Sequence, residues 1–121
     1  MISRLIAYFK DMFPLTSWIG TWLGGVMILN LLQRLGGNSP SVDPRVAMAG
    51  VSICLFTLLI RVMDEFKDYH DDLKNFPQRP LPSGRVTFVD LKVLGWTCVI
   101  GSVLASLWHP YVLVAALVVL A

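Results

Sequence analysis

Residues 46–60, Val46-Ala47-Met48-Ala49-Gly50-Val51-Ser52-Ile53-Cys54-Leu55-Phe56-Thr57-Leu58-Leu59-Ile60, carry no charge. The helix they predict continues through Arg61-Val62-Met63 into Asp64-Glu65-Phe66-Lys67-Asp68-Tyr69-His70-Asp71-Asp72. An apolar run with a charged end reads as a membrane helix emerging into water, because crossing hydrocarbon takes about 20 residues with the interfacial ends counted. Outward from this helix lie further apolar stretches at 12–33, at 93–108 behind Asp90 and Lys92, and at 110–121. The first two also reach spanning length. The last is shorter and ends at Ala121 with no polar cap or basic flank. Its final carbonyls would lie in or near lipid, so the chain reads as the N-terminal part of a longer protein. The expectation is an all-α fold, a polytopic membrane helical bundle with about four transmembrane helices, forming one domain portion over residues 1–121.

Composition agrees. Hydrophobic residues make up 55% and charged residues 15%, against roughly 25% charged in soluble proteins. Mean hydropathy is +0.66. The charges gather in 61–85, which holds Arg61, Lys67, Lys74, Arg79 and Arg85 beside Asp64, Glu65, Asp68, Asp71 and Asp72. This excludes a soluble globule charged all round and a disordered chain. A net charge of +2 gives no footprint for nucleic acid, so none is expected as a partner. Cys54 and Cys98 each sit in an apolar run and have neither disulfide nor metal spacing.

The connections are legible as well. Gly36-Gly37-Asn38-Ser39-Pro40 is a turn cluster. Trp108-His109-Pro110 is a tight reversal, with Trp108 and Tyr111 suited to an interface. Thr87-Phe88-Val89-Asp90 resembles a capping box opening the third spanning helix. Gly20-x-x-x-Gly24 permits close helix approach. Residues 2–13 are expected to form an amphipathic interfacial helix before the first span. With the N-terminus inside, Arg4, Lys10, the basic residues of 61–85 and Lys92 lie inside, and only Arg34 and Arg45 lie outside. The 61–85 segment is therefore expected on the cytoplasmic side of an integral, multi-pass membrane protein of bacterial inner-membrane type.

Asp64, Asp68 and Asp72 recur at i, i+4 and i+8 and share one helix face. Like charges so spaced repel, the more so at a membrane edge. Either Arg61, Lys67 and Lys74 neutralise them as a solvated helix end, or a hard cation such as Mg²⁺ offsets the repulsion and bridges to a phosphate. The following Asn75-Phe76-Pro77-Gln78-Arg79-Pro80-Leu81-Pro82-Ser83-Gly84 stops the helix and returns the chain, bringing Lys74 and Arg79 toward the acidic face, where they suit an anion such as a lipid diphosphate. His70 lies off that face and reads as solvent-exposed, His109 lies in a turn on the far side, and Asn30 sits near the outer end of the first span.

Asp64-x-x-x-Asp68-x-x-x-Asp72 followed by Arg79-Pro80-Leu81-Pro82-Ser83-Gly84 resembles the first aspartate-rich motif of the UbiA superfamily of intramembrane prenyltransferases. The family pattern has Asn where this chain has Asp64, and often Asp where it has Glu65. The resemblance implies a helical bundle of about nine spans and transfer of a prenyl group from a prenyl diphosphate to an aromatic or other lipid-soluble acceptor within the membrane. It implies Asp68 and Asp72 as catalytic residues, Asp64, Asp68 and Asp72 as ligands of Mg²⁺, and Lys74 and Arg79 as diphosphate-binding residues. Mg²⁺ would make the diphosphate a better leaving group, and the membrane cavity would exclude water from the departing cation. The family carries a second aspartate-rich motif in its later half, and no acid follows Asp90 here. The resemblance thus covers less than half of a family member, and this portion alone is expected to be inactive. The alternative is a small non-enzymatic multi-span membrane protein or an inactive half-domain. A CDP-alcohol phosphotransferase would show Asp-Gly, which is absent. Asp71-Asp72-Leu73-Lys74-Asn75 misses the Asp-Asp-x-x-Asp of soluble prenyl synthases.

Overall fold

The structure, a computed structural model, describes residues 1–41 and 43–107. It is all-helical over these residues, in the order α1 (Ile2–Met12), α2 (Leu15–Leu35), α3 (Pro44–Lys67), α4 (Tyr69–Asn75) and α5 (Phe88–Ser106). Three of these helices, α2, α3 and α5, are long and apolar enough to cross a membrane. The expected fourth span, 110–121, and the reversal at 108–110 lie outside the described residues.

α3 is the central element, packed along α5 on one side and α2 on the other. Small residues set both contacts. A Cβ added to Gly101 would lie 2.9 Å from Leu55 Cδ1, so α5 closes on α3 through that glycine. At the α2 contact the close points are Gly25, against Ile53, and Gly50, against Trp22. Trp22 Nε1 also donates to the Ala47 carbonyl at 3.3 Å. The Gly20 and Gly24 pair expected to make this approach does not make it, since a Cβ at either would meet nothing within 4 Å. The face of α2 turned to α3 carries Trp22, Gly25 and Val26. Deeper in the apolar interior, Ser52 Oγ lies 2.9 Å from Ser106 Oγ and donates to the Ser102 carbonyl at 3.2 Å. These are the polar contacts that hold helices together where lipid supplies no hydrophobic drive.

Local chemistry sets the helix starts. Asp43 accepts from Val46 N and Pro44 occupies the first turn of α3, a position where the missing N–H costs nothing. Thr87 and Asp90 form the expected reciprocal capping box of α5. After α2 the chain turns through Gly37, at φ +79, a left-handed conformation that glycine adopts without strain.

α1 lies against the end of the bundle where α3 stops and α5 begins. It buries Tyr8 completely, packs Leu5, Phe9 and Met12 against the core, and leaves Ile2 and Ile6 exposed. Two arginines fasten it. Arg4 donates from Nε and Nη2 to the two carboxylate oxygens of Asp90 at 2.7 and 3.0 Å, and Arg85 donates to Asp11 at 2.6 Å. The Asp90 carboxylate holds the Arg4 guanidinium above its ordinary pKa.

Thr87→Ala is expected to lower stability by about 1 kcal/mol through loss of the cap, read as a downward shift in thermal unfolding in detergent. Arg4→Ala is expected to leave the spans intact and speed tryptic cleavage after the exposed Lys10 of α1.

Candidate functional site

The acidic segment does not run as one straight helix. α3 ends at Lys67, and Asp68 adopts φ −91 and ψ 2 before α4 begins at Tyr69. The backbone ladder survives the bend, with Asp68 N to Asp64 O at 2.8 Å and Asp72 N to Asp68 O at 2.9 Å. Aromatic packing accompanies it, as Phe66 stacks on Phe88 and Tyr69 meets the same ring edge-on at 4.8 Å.

The expected residues separate by environment. Asp72 is buried, and Arg79 Nη1 donates to both its oxygens at 2.8 and 2.6 Å. Asp64 and Asp68 are half-buried and take part in no ion pair among the described residues. Asp71, Lys74 and His70 are exposed. Of the expected anion-binding residues, Arg79 is brought onto the acidic helix and Lys74 points to solvent from the last turn of α4.

The turn that delivers Arg79 is well built. Ser83 N and Val86 N donate to the Arg79 and Pro80 carbonyls, and Ser83 Oγ donates to Pro80 O at 3.2 Å. Arg85 Nη2 donates to Gln78 O at 2.8 Å. Pro80 and Leu81 are buried, so the prolines both end α4 and anchor the loop to the core. Arg79 also lies over the Phe76 ring, 4.7 Å from its centroid, in cation–π contact. Asp72 holds its guanidinium above the ordinary arginine pKa.

Two participants escaped the sequence reading as site residues. Glu65 is 2% exposed, meets Arg61 Nη2 at 3.4 Å through Oε1, and leaves Oε2 without a partner among the described residues. Tyr8, from α1, is fully buried with its hydroxyl also unpartnered. Burial raises the Tyr8 phenol pKa, and the neighbouring Glu65 charge raises it further. A signal for Glu65 was present: Arg61, Glu65 and Asp72 fall within about 40° of one another on an ideal helical wheel, so the buried stripe includes Glu65 while Asp64 sits at its edge. Nothing local pointed to Tyr8, whose place depends on α1 folding back over the bundle.

Among the described residues no three His, Cys, Asp or Glu side chains converge to hold a metal ion. As arranged, Asp72 is withheld from a metal, because Arg79 engages both its oxygens, which leaves Asp64 and Asp68 as the two carboxylates open to Mg²⁺ held mainly by a phosphate. The arrangement also offers a cation, Arg79, poised on a buried carboxylate at the end of an apolar bundle. Comparison of the chain with protein-family models, with curated proteins and with solved structures gives no match.

If Arg79 is what closes this acidic face to metal, Arg79→Ala should bind Mn²⁺ several-fold more tightly than the parent chain, and Arg79→Ala/Asp72→Asn should not. Electron paramagnetic resonance of free Mn²⁺ in a detergent titration reads the difference.

Proposed function

We propose that the chain is the N-terminal portion of an intramembrane prenyltransferase of UbiA type, in which residues 61–85 receive the diphosphate of a prenyl diphosphate at the cytoplasmic membrane surface. The observation that carries the reading is the placement of Arg79. A proline turn anchored by buried Pro80 and Leu81 sets its guanidinium on Asp72 of α4, just beyond the acidic end of α3, a helix long and apolar enough to cross a membrane. A planar guanidinium with donors to spare suits phosphate oxygens. In the last turn of α4, Lys74 is exposed and can turn toward an anion. The apolar flanks of α2, α3 and α5 suit an isoprenoid tail, and the acceptor is a lipid-soluble molecule reaching the site from the bilayer.

Mg²⁺ belongs to this reading as the companion of the diphosphate, which would supply most of its oxygen ligands. Asp64 and Asp68 are the carboxylates that Arg79 leaves unengaged. The chain's own residues bind and orient the leaving group: Arg79 and Lys74 place positive charge where negative charge builds as the bond to the prenyl carbon breaks. The second reading is a non-enzymatic multi-span membrane protein, or an inactive half-domain, in which Asp72 and Arg79 form a purely structural tie. The closed pairing of Asp72 favours it.

Titration of the purified chain with farnesyl diphosphate in Mg²⁺-containing detergent buffer separates the two. The transferase reading expects saturable binding that pyrophosphate displaces. It expects weakening of about tenfold in Arg79→Ala, the loss of one charge-assisted contact, a smaller loss in Lys74→Ala, and little binding of farnesol. Equal binding of farnesol and farnesyl diphosphate, or no binding, supports the structural reading.

A further inference from the structure

At the end of α3 away from the acidic residues, α2 and the chain after it border an open cavity of about 500 Å³. Val26, Met27 and Leu31 line its apolar floor, and Asn30, Arg34 and Ser41 its polar rim. The backbone N–H of Ser41 donates to Gln33 Oε1 at 3.4 Å, which folds the rim back onto α2. Asn30 donates to the Val26 carbonyl at 3.0 Å and is thereby fixed along the wall. Arg34 takes part in no ion pair among the described residues. Asp43, the nearest acid in sequence, caps α3 at Val46 N and does not line the cavity.

We propose that this cavity holds an anionic phospholipid, with its phosphate at Arg34 and the rim and one acyl chain along Met27 and Leu31. The amphipathic lining matches an amphiphile, not a free ion. A bare phosphate would sit on an apolar floor that solvates it poorly, while a lipid places hydrocarbon there and charge at the rim. The sign follows from the rim: it carries a cation and no carboxylate among the described residues, so it has no partner for the ammonium of a zwitterionic head group. Met27 is 71% exposed on a helix of membrane length, so the floor opens toward the position of acyl chains. The site is independent of the diphosphate reading, lying at the opposite end of α3.

Native mass spectrometry of the full chain, released from nonionic detergent with equimolar phosphatidylglycerol and phosphatidylcholine, tests the proposal. One retained phosphatidylglycerol is expected, preferred about fivefold, the value of one basic side chain near a membrane surface. Arg34→Gln should erase the preference, and Arg34→Lys should keep it. Arg45→Gln, the same charge change in the first turn of α3 and outside the lining, should leave it intact. Met27→Trp, at an exposed position that leaves the fold undisturbed, should reduce retention of both lipids by filling the floor. Equal loss in Arg34→Gln and Arg45→Gln, equal retention of the two lipids, or displacement of the lipid by equimolar soluble glycerophosphoglycerol would each overturn it.

Discussion

A carboxylate shut away from water at the rim of an apolar bundle is costly unless a cation comes to it. The pair of Asp72 and Arg79, at 2.6 and 2.8 Å, meets that demand, and much of the local architecture depends on it. To reach Asp72, Arg79 must sit in a turn that reverses at once after α4. The prolines supply the reversal, and burial of Pro80 and Leu81 seats it. That seating sets where the chain re-enters the bundle as α5. The same solution recurs at the start of α5, where Arg4 reaches across from α1 to Asp90. Charge excluded from hydrocarbon thus collects at one end of α3.

What the sequence revealed follows the range of the forces concerned. The spans at α2, α3 and α5 were legible because length and hydropathy are properties of a single segment. The capping box at Thr87 and Asp90 was legible because its partners are neighbours along the chain. Which α2 glycines meet α3 was not, because Gly20, Gly24 and Gly25 all look alike until the facing helix selects one side. The pairing of Arg4 with Asp90, 86 residues apart, had no local sign. The bend at Asp68 was hidden for another reason. Nothing in the residues breaks the helix there, and the deflection accompanies the docking of Phe66 and Tyr69 on Phe88.

The candidate site was half legible. Spacing placed the aspartates on one side of a helix, and the prolines announced that Arg79 would return. Spacing alone did not tell which acid would be buried, and it is Asp72 and Glu65 that are. Burial divides the three evenly spaced aspartates into a paired one, Asp72, and two half-exposed ones, Asp64 and Asp68. That division makes Arg79 serve two ends. It neutralises Asp72 in the structure described, and under the proposed function it is also the cation nearest to an arriving diphosphate. A residue with both duties ties the stability of the loop to occupancy of the site.

The most direct test of the central claim is a double-mutant cycle on Asp72→Asn and Arg79→Gln, read as unfolding free energy in detergent. If the pair organises this end of the bundle, the single variants are each destabilising and the double variant is less so than their sum. The coupling should be about 2 kcal/mol, within the range for residues in direct contact. Additivity to within about 0.3 kcal/mol, the behaviour of independent sites, would contradict the account.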